Sequence, residues 1–183
     1  MADWNRIFPA LETIEDRDLR EKVEKVWEES RIRGGWKDGD LESIPFTLLV
    51  ADAEINLFEH TRIVTDLCIK IAEAMQGMDG VAIDMDMLIA GALLHDVGKF
   101  LEYRKEQDGY AVARSGRLLR HPLSGMGLAM KEGLPEEVCH IIAVHSREGE
   151  RSYRSPEAII LHHADFIMFE TFKSVTEFPE MRR

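Results

Sequence analysis

The chain has 183 residues, 45% of them hydrophobic and 31% charged, enough to bury a substantial core within one domain. A net charge of −11 excludes the basic face that a bulk grip on nucleic acid needs, although local cations can still serve a small anionic substrate. Met1 to Arg6 lacks the segments of a signal peptide, and no apolar stretch approaches about 18 residues, so a cytoplasmic protein without membrane contact is expected.

Helical periodicity dominates the chain. Residues 12–32 are charge-rich, with Leu19, Val23, Val26 and Trp27 at helical spacing, and Gly34-Gly35 ends that helix. A short element spans about 44–51, with Pro45 near its start. A long amphipathic helix covers about 54–76 and closes at Gly77. Asp84 caps the next, which runs to about Val97 and stops at Gly98. Residues 100–120 read as a polar loop or lid with a small hairpin, because Asp108-Gly109 is a turn signal. A helix over about 122–132 breaks at Gly133, and Pro135 opens another that ends near His145. Residues 146–155 are polar and carry three arginines. Ser155 caps the last long helix, with Pro156 at its first position. Cys68 and Cys139 lie in apolar helical patterns without a CxxC, as buried thiols do. The whole predicts an all-α chain.

Asp165 interrupts the apolar run from Ala158 to Phe169. An unpaired carboxylate buried there is costly, so it must be neutralised, paired or bound to metal. His60, His95-Asp96, His121 and His145 stand in similar surroundings, where packing alone asks for leucine. Any one of these histidines alone is more often a satisfied core or surface residue. Together they point to a metal site inside a helical core. Imidazole and carboxylate suit Fe, Mn, Zn and similar ions. Six ligands exceed one tetrahedral site and suit two ions sharing a carboxylate, with Asp96 as the natural bridge.

The set Glu59-His60-Thr61, Leu93-Leu94-His95-Asp96-Val97-Gly98-Lys99 and Ala164-Asp165 resembles the H…HD…D signature of the HD superfamily of metal-dependent phosphohydrolases. His121 and His145 match the two extra histidines of its dinuclear members. The resemblance spans roughly residues 57–170. It implies a helical HD-domain bundle over 51–183, with residues 1–50 as a helical extension packed on it. It further implies two divalent ions, Fe or Mn first, with Mg, Zn, Co and Ni also eligible. His60, His95, Asp96 and Asp165 would hold one ion; Asp96, His121 and His145 the other. Water activated between them would attack a phosphate ester or anhydride, of a nucleotide or related small molecule.

In this reading Asp96 and Lys99 are catalytic, Lys99 matching the family's HDxxK lysine. Lys99, Arg147, Arg151 and Arg154 bind the substrate phosphate, with Arg117 and Arg120 as secondary candidates and Tyr103 and Tyr110 as stacking partners for a base. His162, one turn before Asp165, is a candidate for supporting the ligands, whereas His140 and His163 read as structural or solvated. Three alternatives stay open: a mixed-valence di-iron oxygenase with the same ligands, a nucleotide-binding sensor, and a one-metal site whose His121 and His145 bind substrate. A homodimer also stays open.

Overall fold

The computed structural model describes residues 2–50 and 55–178. In chain order it has α1 (Trp4–Ile7), a 3-10 turn (Pro9–Thr13), α2 (Arg17–Gly34), a second 3-10 turn (Asp38–Ser43) and α3 (Leu57–Met75). Then come α4 (Met85–Leu94), α5 (Lys99–Glu102), β1 (Tyr103–Glu106), β2 (Gly109–Val112) and α6 (Arg114–Leu118). α7 (His121–Lys131), α8 (Glu136–Val144), a third 3-10 turn (Arg147–Gly149) and α9 (Pro156–Glu177) complete it. The fold is all-α apart from one hairpin. Among the described residues no helix is long and apolar enough to cross a membrane.

The caps explain most boundaries. α2 starts at Arg17 rather than near residue 12, because the Asp16 carboxylate accepts from the backbone N–H groups of Asp18 and Leu19. It ends where Gly35 takes a left-handed φ of 74°. Asn56 and Glu59 form a capping box at the start of α3. Asp84 accepts from Met87 N–H at α4, and Ser155 from Ala158 N–H at α9, both as expected.

Other expectations change as well. α4 ends at Leu94 rather than Val97, so His95 and Asp96 lie on the turn after it. Gly98 is no left-handed stop, with φ −65°. It is needed for room, since a Cβ there would sit 2.2 Å from the His121 carbonyl oxygen. The short element expected at 44–51 contributes one isolated bridge, Pro45 to Asn56, and residues 51–54 lie outside the described ones.

α4 is apolar all round and buried from Leu88 to Leu94, as a central helix must be. It joins two buried clusters. In one, Trp4, Phe8 and Trp27 from the N-terminal segment pack with Phe58, Leu94 and Phe100. The Phe8 and Trp27 ring centroids are 4.9 Å apart, and those of Trp27 and Phe100 5.4 Å. In the other, Phe46, Leu88, Ala92, Ile141, Leu161 and Met168 pack together.

β1 pairs antiparallel with β2, with Tyr103 opposite Val112 and Glu106 opposite Gly109. The hairpin is fastened to the second 3-10 turn. Lys105 pairs with Asp40 at 2.5 Å, and the Tyr110 and Ser43 hydroxyls hydrogen-bond at 2.7 Å.

Candidate metal centre

Five stretches of chain deliver the six candidate ligands. His60 lies one turn into α3, and its N–H bonds to the Asn56 carbonyl. His95 and Asp96 occupy the turn after α4, His121 opens α7 and His145 follows α8. Asp165 is in the middle of α9. The four histidines and Asp96 are buried; Asp165 is partly so.

They converge. His60 Nε2 is 3.1 Å from His95 Nε2 and 3.2 Å from both Asp96 Oδ2 and Asp165 Oδ1. His95 Nε2 is 3.3 Å from Asp96 Oδ2. On the other side of the same carboxylate, Asp96 Oδ1 lies 3.3 Å from His121 Nε2 and 3.9 Å from His145 Nε2. Two groups can each hold a metal ion with ligand atoms within 4.8 Å of one another: His60, His95 and Asp96, and Asp96, His121 and His145. Asp96 belongs to both.

The hydrogen bonds set the tautomers. A carbonyl oxygen only accepts, so His95 Nδ1 donates to Ala92 and His145 Nδ1 to Ile142, each at 2.7 Å. His121 Nδ1 donates to Glu102 Oε2 at 2.7 Å, and His60 Nδ1 faces the Met168 sulfur at 3.0 Å. The Nε2 atoms of His95, His121 and His145 are thereby turned inward, toward the Asp96 carboxylate and the His60 ring. Ring nitrogens and carboxylate oxygens crowded in this way form a donor set suited to a cation between them. His145 Nε2 is buried without a hydrogen-bond partner, an orphan that a metal would satisfy. The donor set fits a divalent metal ion.

The electrostatics agree. Burial pushes the Asp96 carboxyl up, but Lys99, His95 and His60 outweigh it and hold it well below the usual range. Burial opposes the Lys99 charge, yet Asp96, 2.5 Å away, holds that ammonium firmly protonated. Burial opposes ionisation of Asp165 too, and His60 and His95 overcome it. Burial, reinforced by His95 and His121, lowers the His145 imidazole to about 3, so it stays a neutral donor.

A cavity of about 470 Å³ opens onto these groups. His60, Asp96, Lys99, His121 and Asp165 form its floor, and Phe46, Leu48, Leu49, Val112, Phe166 and Phe169 give it an apolar wall. Tyr103, Arg120 and Arg147 also line it. Of the three arginines expected to bind phosphate, the structure brings Arg147 there. Arg151 is exposed and outside the lining. Arg154 turns inward, donating from Nε to the Val144 carbonyl at 2.9 Å and from Nη2 to that of Ser146 at 3.1 Å. It braces the backbone around His145. His162 does the same, its Nδ1 donating to the His145 carbonyl at 2.6 Å. Arg117 is exposed and away from the lining, and Tyr110 packs on Trp36.

Two residues at the site carry no clear signal in the sequence. Glu102 sits behind His121. Phe46 stacks on the His60 ring with centroids 4.9 Å apart, and its carbonyl accepts from Lys99 Nζ. A glutamate just after Phe100-Leu101 is the one hint that the sequence offers.

Fold and site together define a helical protein with a buried histidine–aspartate centre able to hold a divalent metal. The HD domain family model matches residues 57–167, a span containing all six candidate ligands, and the chain belongs to that family. HD domains are phosphohydrolases. The chain is 33% identical over 172 residues to the dihydroneopterin 2',3'-cyclic phosphate phosphodiesterase of Methanocaldococcus jannaschii. That match takes in 87% of this chain and 66% of the relative, just under two thirds of its length. Over 85 residues the chain is 36% identical to ribonuclease Y of Acidothermus cellulolyticus, covering 46% of this chain and 14% of that enzyme. No solved structure gives a significant match.

Proposed function

We propose that this protein is a metal-dependent phosphodiesterase that cleaves a phosphate ester bond in a small, nucleotide-like molecule. One observation carries the reading: a single buried carboxylate, Asp96, is shared by two ligand groups on the floor of a cavity that also has an apolar wall and cationic side chains. His60, His95, Asp96 and Asp165 would hold one ion, and Asp96, His121 and His145 a second. Fe or Mn suits this mixed nitrogen and oxygen set. A divalent ion so held supplies Lewis acidity, making water a stronger acid and offsetting charge on phosphate oxygens.

The chain's own side chains do the rest. Lys99 spends two donors on Asp96 and the Phe46 carbonyl, and its third N–H is left for a phosphate oxygen. Arg147 has no side-chain partner among the described residues, so its guanidinium is free to hold a second oxygen. Arg120 is tied to Glu148 at 3.0 Å and guards the rim. The wall of Phe46, Phe166 and Phe169 suits a flat ring. The curated relative from Methanocaldococcus jannaschii is named for a cyclic phosphate diester of dihydroneopterin, which supports a diester rather than a monoester.

The test is a panel of 2',3'-cyclic and linear phosphodiesters, with monoesters and anhydrides beside them, run with Fe, Mn, Mg, Zn and Co. Phosphorus NMR should show diesters converted to monoesters. Failure of every diester with every metal overturns the proposal. Substrate-dependent oxygen uptake by the iron-loaded protein would establish the oxygenase alternative instead.

A further inference from the structure

We propose that Glu102 is a positioning residue that sets the strength of one half of the metal centre, the Asp96–His121–His145 half. The inference rests on the two-ion reading of the site. It begins from an asymmetry among the histidines. The rings of His95 and His145 are backed by carbonyls three residues earlier in their own chain segments, and His60 by a thioether. These backing groups are all neutral. His121 alone of the four is backed by a carboxylate. Glu102 Oε2 accepts from its ring Nδ1–H at 2.7 Å and from its backbone N–H at 2.6 Å. One oxygen thus fixes both the ring and the first turn of α7.

The charges of the two halves explain why such a group belongs there. The His60 half has two carboxylates, Asp96 and Asp165; the His121 half has only its share of Asp96. Glu102 supplies the missing negative charge from behind the ligand. A carboxylate in that position makes the imidazole a more basic donor and holds its Nε2 toward the ion. Glu102 is itself locked in place. Its backbone carbonyl accepts from Ala113 N–H at 2.7 Å, and Gly116 lies so close that a Cβ there would meet that carbonyl oxygen at 2.6 Å. Arg120 Nε stands 3.9 Å from its other oxygen.

Glu102→Gln preserves the shape, since the amide oxygen can still accept both bonds, and removes the charge. The experiment titrates full-length wild type and E102Q with Mn(II) alone, by calorimetry and electron paramagnetic resonance. Wild type should take up two ions per chain, with a spin-coupled signal. E102Q should bind its first ion unchanged and its second about 10–100-fold more weakly. At two equivalents its spectrum should be that of an isolated Mn(II), and excess Mn(II) should restore the coupled signal. Two unaltered affinities, or two equally weakened ones, would overturn the role of Glu102 and leave the two-ion reading standing. A wild type that binds one ion overturns both. If E102Q does not fold, Glu102→Asp, which keeps the charge but draws it back, is judged by the same selective loss.

Discussion

Asp96 stands between two sets of partners: Oδ2 faces Lys99, His60 and His95, while Oδ1 faces His121 and His145. Asp96→Asn should therefore weaken Mn(II) uptake by at least ~100-fold at both halves, since losing a shared ligand exceeds losing a backing group. It should also cost about 3–5 kcal/mol of stability, because Lys99 is left charged and buried without its partner. Titration calorimetry and urea unfolding read the two effects separately. His145 controls the acid side of the stability profile. Burial, with His95 and His121 beside it, depresses its pKa to about 3, whereas an unfolded imidazole titrates near ~6.5. Between those values the unfolded chain binds a proton that the fold refuses. The metal-free protein should thus lose about 2 kcal/mol on going from pH 6.5 to pH 5. His95 does not cancel this. Burial opposes its charge, Asp96 prevails and its pKa is raised, so its stabilisation is already complete below about 6.5. The depressed Asp96 and Asp165 add further losses below about pH 4. Urea unfolding at pH 7, 6 and 5 checks the slope, and a flat profile contradicts it.

At the scale of elements, the centre depends on how closely short segments approach. Gly98 allows the turn after α4 to touch α7, and Gly149 lets the third 3-10 turn fold back on the Val144 carbonyl. Gly98→Ala should cost about 1–3 kcal/mol and displace His121, seen as a lower urea midpoint together with weaker binding of one Mn(II). The long helices are legible in the sequence because their apolar residues recur with the helical period and their ends carry Asp84, Ser155-Pro156 or glycine. α5 and α6, at four and five residues, are not. Helices that short do not persist on propensity and exist only through the contacts around them. The start of α2 departs from the periodic pattern for a related reason. The Asp16 cap outweighs the periodicity that continues behind it, and Pro9 begins a separate 3-10 turn.

For the whole molecule, the N-terminal segment and the helices that carry the candidate ligands share buried surface. Trp27 touches Trp4, Phe8, Phe58 and Phe100, drawing together α1, α2, α3 and α5. Trp27→Ala should cost about 3–5 kcal/mol while leaving the ligands themselves unaltered. Urea unfolding measures that cost, and Mn(II) in excess should recover part of it. A site at ~100 times its dissociation constant returns about 2.7 kcal/mol, and EDTA should remove that gain.

The sequence by itself determined the helical class, most helix ends and the six candidate ligands, because periodicity, caps and polar residues in apolar runs are local patterns. It did not determine which arginine reaches the cavity. Arg147, Arg151 and Arg154 are alike in sequence, yet one lines the site, one faces solvent and one braces a helix end. Nor did it disclose Glu102 behind His121, 19 residues away along the chain. Such pairings depend on how separate elements pack, and only the tertiary structure decides them.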